Sequence, residues 1–146
     1  MVTETDKAYL AGIIDGEGYI GIGMNKGTDN RQPQYVLRIS IAQSNQPFLV
    51  CLRDKWGGLG SICVNRSPRQ AKVGYRWHIS ANQAASILED ILPYLVIKKP
   101  QAELALEFQV TRGKPWKRVS EDELVVREGF KQRISSLNQQ ENILDS

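Results

Sequence analysis

Cysteine and histidine are scarce in this chain: Cys51, Cys63 and His78 are the only ones in 146 residues. The two cysteines have no CxxC spacing, and one falls in an expected helix and the other in an expected strand. Both therefore read as buried free thiols rather than as a disulfide or zinc framework. A lone histidine leaves no means of building a nucleophilic triad or a histidine metal cage within one subunit. No apolar run nears the ~20 residues of a membrane span, and Met1–Asp6 lacks the basic start and apolar core of an export signal. The expectation is a soluble intracellular protein, in cytoplasm or an organelle interior, with no membrane partner. Residues 1–146 are long enough to bury one core and are expected to form a single domain.

The formal net charge is only +3, but it is unevenly divided along the chain. Residues 1–24 carry −3, residues 25–80 carry +7 and the remainder carries −1. The middle segment owes its charge to nine lysines and arginines set against Asp29 and Asp54. Such a concentration reads either as a solvated basic face or as a surface for a polyanion.

From Thr5 to Asp15 the sequence reads as a helix. Its apolar residues Ala8, Tyr9, Leu10, Ala11, Ile13 and Ile14 lie nearly all round, so it must be covered on more than one side. Tyr19–Asn25 then alternates at strand period, with Ile20, Ile22 and Met24 on one face and Tyr19, Gly21, Gly23 and Asn25 on the other. A turn over Lys26–Pro33 leads to a second strand, Gln34–Ala42, with Tyr35, Leu37, Ile39 and Ile41 inward and Gln34, Val36, Arg38 and Ser40 outward. Pro47 opens a short helix that Gly57-Gly58 stops. Gly60–Asn65 and Gly74–Ile79 form another strand pair, joined by the basic loop Arg66–Lys72, and Arg76 and His78 share its outward face. Ser80 with Gln83 has the capping-box pattern for a helix ending at Pro93; a further helix runs from Pro100 to Gly113. Ser120 with Glu123 caps a last one, and the polar tail from Asn138 is expected to fray. The chain should therefore be an α+β domain with one four-stranded antiparallel sheet. Helices cover one face, and the other is polar, basic and free for a ligand.

The run Leu10-Ala11-Gly12-Ile13-Ile14-Asp15-Gly16-Glu17-Gly18 joins the first helix to the first strand. Gly16–Gly21 also matches GxGxxG, but a helix precedes it and a strand follows, the reverse of the context that brings a pyrophosphate to a helix N-terminus. Here the negative end of a helix meets two carboxylates, which suits a hard cation such as Mg²⁺ or Ca²⁺. Read from the residues alone, Asp15 better suits capping or packing and Glu17 an exposed charge at a helix end.

This run resembles the signature of the LAGLIDADG homing endonucleases, and it occurs once. The resemblance extends in element order and local sequence over about Tyr9 to Phe108. It implies an αββαββα fold with extra C-terminal helices, and a homodimer in which the helix at Leu10, Ala11, Gly12, Ile13 and Ile14 pairs with its copy. Two acidic ends then meet over a long, roughly palindromic DNA duplex and cut both strands with a stagger. On this reading Glu17 supplies the metal-binding carboxylate, in place of the commoner aspartate, with the Gly16 carbonyl as a neighbouring ligand. Gln43 matches a polar position that organises metals and attacking water, and Lys98 matches the active-site lysine. Mg²⁺ is the expected cofactor, with Ca²⁺ or Mn²⁺ able to take its place, and two such ions can stabilise attacking and leaving oxygens. The usual basic partner falls on Pro47, which leaves Arg53, Lys55, Arg76 or no residue for that part.

The same resemblance makes the sheet a saddle on double-stranded DNA. Tyr19, Asn25, Gln34, Arg38, Ser40, Asn65, Arg76 and His78 are its expected base readers, while Lys26, Arg31, Arg66, Arg69 and Lys72 are expected to meet phosphates. Outward Gly21 and Gly23 leave room for close backbone approach or water. Trp56, Trp77 and Trp116 are assigned to packing. Other members of the family act as RNA-binding maturases, and an inactive DNA-binding protein of this fold is a further alternative.

Overall fold

The computed structural model of the chain describes residues 2–28, 30–65, 73–112 and 118–144, with side chains as far as 140. In chain order it contains α1 (Glu4–Glu17), β1 (Gly18–Asn25), β2 (Gln34–Gln43), α2 (Gln46–Lys55), β3 (Ser61–Asn65), β4 (Gly74–Ser80), α3 (Ala81–Ile91), a 3₁₀ turn at Leu92–Tyr94, α4 (Lys99–Thr111) and α5 (Glu121–Leu144). This is the expected αββαββα order followed by further helices. The expected sites Arg66, Arg69 and Lys72, and Trp116 with them, lie outside the described residues.

The strand order is β1-β2-β4-β3, antiparallel at every pairing. Two hairpins meet through β2 and β4, and the pairing aligns apolar residues in cross-strand rows. Ile20, Ile39 and Ile79 form one row, and Ile41, Trp77 and Ile62 another. A slip of one residue would turn every one of them to the opposite face, so their burial fixes the register. Against this face pack Leu10, Ala11 and Ile14 of α1, Leu49 and Leu52 of α2, Ile87, Leu88 and Ile91 of α3, Ala105 and Phe108 of α4, and Phe130 and Ile134 of α5. Each large side chain so buried contributes roughly 1.5–3 kcal/mol. The Trp77 indole N–H donates to the Leu59 carbonyl at 2.9 Å, so the largest buried side chain leaves no orphan donor.

Local chemistry sets the helix limits. Thr3 and Asp6 form a reciprocal capping box that starts α1 one residue before the expected point. Asn45 caps α2, and the Gly57 and Gly58 backbones, both at positive φ, turn back onto Asp54 and Arg53 carbonyls to end it. Ser120 accepts from the Glu123 N–H at the start of α5, as its spacing predicts.

Three expectations are corrected. Ser80 makes no side-chain cap, and Gln83 instead accepts from the Gly60 N–H at 3.0 Å. The residue between Ser80 and the rest of α3 is Ala81, at φ 54°, a left-handed turn that accompanies the missing cap. The segment from Asn138 does not fray: α5 runs to Leu144, and Asn138 donates to the Ile20 carbonyl and accepts from Gln101. Cys51 and Cys63 are both exposed, because Cys51 lies off the Leu49–Leu52 stripe and Cys63 shares the outward phase of Arg76, its partner on an edge strand. Within one protomer α1 is covered along Leu10, Ala11 and Ile14, and Tyr9 on its other side remains 56% exposed.

Left-handed backbone costs an alanine roughly 1–2 kcal/mol. Ala81→Gly is therefore expected to melt at or above wild type, and Ala81→Val to lose about 1–2 kcal/mol in denaturant titration.

Candidate functional site

The C-terminal turn of α1 is the focus of three distant segments. α1 passes into β1 with no intervening residue, and a Cβ on Gly18 would lie 2.7 Å from the Ile14 Cα, a contact with backbone that cannot yield. Only glycine makes this exit, and it leaves Glu17 at the junction of helix and sheet. The Gln43 amide, at the end of β2, donates to Glu17 Oε2 at 3.3 Å. Its own Oε1 accepts from the Ser44 N–H at 3.0 Å, which orients the amide with its donor toward the carboxylate.

Asp15 has a different task. Its two carboxylate oxygens accept from the Val96 and Lys98 backbone N–H groups, each at 2.9 Å. Lys98 is 8% exposed, and its Nζ donates to the Asp15 carbonyl at 3.3 Å. Asp15 thus makes structural bonds with both oxygens, as its residue type suggested, while Glu17 remains exposed at the helix end. Glu17, Gln43 and Lys98 all reach the last turn of α1. That turn contains no basic residue to offset the negative end of the helix.

Alongside this turn runs a groove of about 600 Å³ lined by Tyr9, Gly12, Ile13, Gly16, Glu17 and Gln43, among others. Gly12 and Gly16 have open space where a side chain would stand. Of the five residues expected to pair with a second helix, Leu10, Ala11 and Ile14 are at most 1% exposed, consumed by the protomer's own core. Only Gly12 and Ile13 reach the surface, where Ala8 and Tyr9 join them.

The helix end offers a small set of donors to a metal ion. No group of three or more His, Cys, Asp or Glu side chains capable of holding an ion occurs among the described residues. What is present is one exposed carboxylate, the backbone of Gly16 and an amide oxygen. These are hard oxygen donors of the kind Mg²⁺ and Ca²⁺ select, and they are too few for a closed site in one chain. Pro47 lies in the first turn of α2. Of the candidates to replace a basic group there, Lys55 is bound to Asp6 at 3.0 Å, at the opposite end of α1 from Glu17, and Arg53 lies 3.7 Å from Asp54. Arg76 remains exposed on the outer sheet face, paired with Ala42 one residue before Gln43.

On that outer face Tyr19, Ser40, His78 and Ser61 form one row, with Arg38 and Arg76 in the rows on either side. Lys26, Arg31, Gln34 and Asn25 are exposed around the β1–β2 turn, Asn65 is half-buried at the end of β3, and Ser40 is 8% exposed between its neighbours. The space above the two outward glycines is filled, not open. The Tyr19 ring lies over Gly21, and the Arg38 guanidinium lies over Gly23, where an added Cβ would come within 2.5 Å of its Cζ. Arg38 also donates to Asn25 Oδ1 at 3.1 Å. Partial burial, then the charges of Arg38 and Arg76, hold His78 below the usual histidine range.

Over 92% of this chain and 82% of the other, the structure matches the homing endonuclease I-CvuI, solved with target DNA in the presence of Mg, at TM-score 0.75 and 20% identity. The homing endonuclease I-TnaI matches over 92% of this chain and 96% of its own, at TM-score 0.64 and 16% identity. The LAGLIDADG homing endonuclease I-GzeII, in complex with its DNA target, matches over 71% of this chain and 35% of its own, at TM-score 0.58 and 18% identity. No protein-family model and no curated protein matches the chain. The chain has the LAGLIDADG homing endonuclease fold.

Because His78 is the only histidine, its titration can be read directly. Its imidazole signals are expected to titrate below 6.5 by NMR, and Arg76→Gln to move the midpoint upward. Since the folded pKa is the lower one, this group favours the folded state above 6.5, and that contribution falls as pH drops through the window below it.

Proposed function

We propose that this protein is a LAGLIDADG homing endonuclease of the single-motif type: a homodimer that binds a long, roughly palindromic DNA site and hydrolyses both strands with a stagger. The observation that carries this reading is the convergence of Glu17, Gln43 and Lys98 on the last turn of α1, at the edge of a sheet whose free face carries Arg38, Arg76 and His78. The DNA complexes of I-CvuI and I-GzeII support a duplex as the partner.

Each side chain has a part set by its surroundings. Glu17 and the Gly16 carbonyl would hold a divalent ion, Mg²⁺ or Ca²⁺, which when bound activates water and offsets charge on the phosphate. Gln43, oriented by Ser44 and bonded to Glu17, positions the carboxylate and the water near it. Lys98 keeps its ammonium at the helix end, where it balances negative charge developing on a phosphodiester. A second protomer brings the same set to the other strand, and the α1 groove is the surface on which it docks. Tyr19, Asn25, Arg38, Arg76 and His78 present donors and acceptors to base edges, and Lys26 and Arg31 meet phosphates.

Purified protein with Mg²⁺ is expected to cut the joined sequence that flanks its gene. Glu17→Gln should bind that DNA within about threefold of wild type and lose at least a hundredfold in cleavage rate. Cleavage left intact by Glu17→Gln would refute the role given to that residue. A Cβ added at Gly12 meets nothing within 4 Å in the single protomer. Gly12→Leu should therefore keep the fold, by circular dichroism, while sedimentation shows monomer in place of dimer.

A further inference from the structure

α4 and α5 pack as antiparallel helices whose seam can be followed layer by layer. Gln101 donates to Asn138 at 3.2 Å toward one end, and Phe108 meets Phe130 edge to face, ring centroids 6.1 Å apart, toward the other. One turn on from Phe108 is Arg112, and one turn back from Phe130 is Arg127, so the next layer brings two guanidiniums to the same seam. Arg112 is half-buried and Arg127 is 7% exposed.

Among the described residues no carboxylate neutralises their charge. Neither arginine forms an ion pair with a carboxylate among the described residues, and the Nε of Arg127 is buried with no hydrogen-bond partner. Burial, together with the charge of Arg127, holds the Arg112 guanidinium below its ordinary range. The nearby end of α4 offers only about half a negative charge against two full positive ones. A buried guanidinium left in this state is costly, and an anion between the two forks removes that cost.

We propose that Arg112 and Arg127 form a phosphate-binding site. Two planar forks can bond several oxygens of one tetrahedral oxyanion, a better match in charge and donor number than a single carboxylate. The site's position suggests where the phosphate comes from. The Gln32 amide bonds both the N–H and the carbonyl of Val119, at 3.0 and 2.8 Å, fastening the approach to α5 onto the β1–β2 turn. That turn carries Lys26 and Arg31, at the end of β1 remote from Glu17. The phosphate is then either a phosphodiester of duplex leaving the sheet, which rests on the DNA-binding reading above, or a free phosphate ion.

Two measurements on the full chain test this. Thermal melts in inorganic phosphate and in chloride at equal ionic strength compare wild type with Arg127→Met and Arg112→Gln. Salt-dependent binding to a duplex long enough to pass the β1–β2 turn compares the same three proteins. Phosphate is expected to raise the wild-type Tm by about 2–4 °C, and both variants to lose that rise. In phosphate-free buffer Arg127→Met should melt no lower than wild type, since it removes an uncompensated buried charge. If the source is DNA, the slope of log affinity against log salt falls by about 1 for each arginine removed. A Tm effect alone assigns the site to free phosphate, and a slope effect alone assigns it to the duplex. No phosphate-dependent Tm rise in the wild type, together with an unchanged slope in Arg112→Gln, overturns the proposal. A protein that binds no duplex at all refutes the DNA reading and leaves the melts to decide this one.

Discussion

The Asp15 carboxylate ties the last turn of α1 to the segment that leads into α4. Its two oxygens take backbone N–H groups from Val96 and Lys98, residues 81 and 83 positions further along the chain. Bonds to an ionised acceptor of this kind contribute about 1.5–3 kcal/mol each. They set the backbone that leads into α4 against the last turn of α1 and so fix where Lys98 starts its side chain. Without them nothing in the local sequence 95–98 would place an ammonium at the last turn of α1. Asp15 bonds backbone with both its oxygens, whereas the second carboxylate, Glu17, stays exposed at the helix end.

The same helix is asked to satisfy two surfaces. Leu10, Ala11 and Ile14 belong to the protomer's core, whereas Tyr9, Gly12 and Gly16 line an open groove. A helix with apolar residues nearly all round is expected to be covered on more than one side, and one protomer covers only one. The hard-oxygen donors at its end are likewise too few for a closed metal site in a single chain. Both deficits have the same remedy in the proposed homodimer, which adds a second helix to the groove and a second acidic end beside the first.

Much of this was legible in the chain itself. Period-two alternation in Tyr19–Asn25 and Gln34–Ala42 gave the inner and outer sheet faces, because a strand's side chains point to opposite sides whatever surrounds it. Glu17, Gln43 and Lys98 were named from the motif and its resemblance, and the fold brings them to one place. Where the expectations were wrong, a longer-range contact overrode a local pattern. Ser80 and Gln83 have the spacing of a cap, but Gln83 is taken by Gly60 on another segment. Asn138 looks like frayed tail by composition, yet it bonds Ile20 and Gln101. Gly21 and Gly23 looked like open space, but side chains from Tyr19 and from the neighbouring strand lie across them.

Sequence alone therefore determined which residues alternate, that Gly57-Gly58 ends α2, and which carboxylate stands at the exit from α1, since these depend on neighbours within a few bonds. The tertiary structure decided the rest: Asp15 as a clamp, Leu10 and Ala11 as core, Lys55 drawn off to Asp6, and two arginines on one helix seam with no carboxylate partner among the described residues. Each of these is a meeting of groups far apart in the chain. Burial and charge act through space, and only the folded packing says which distant group arrives.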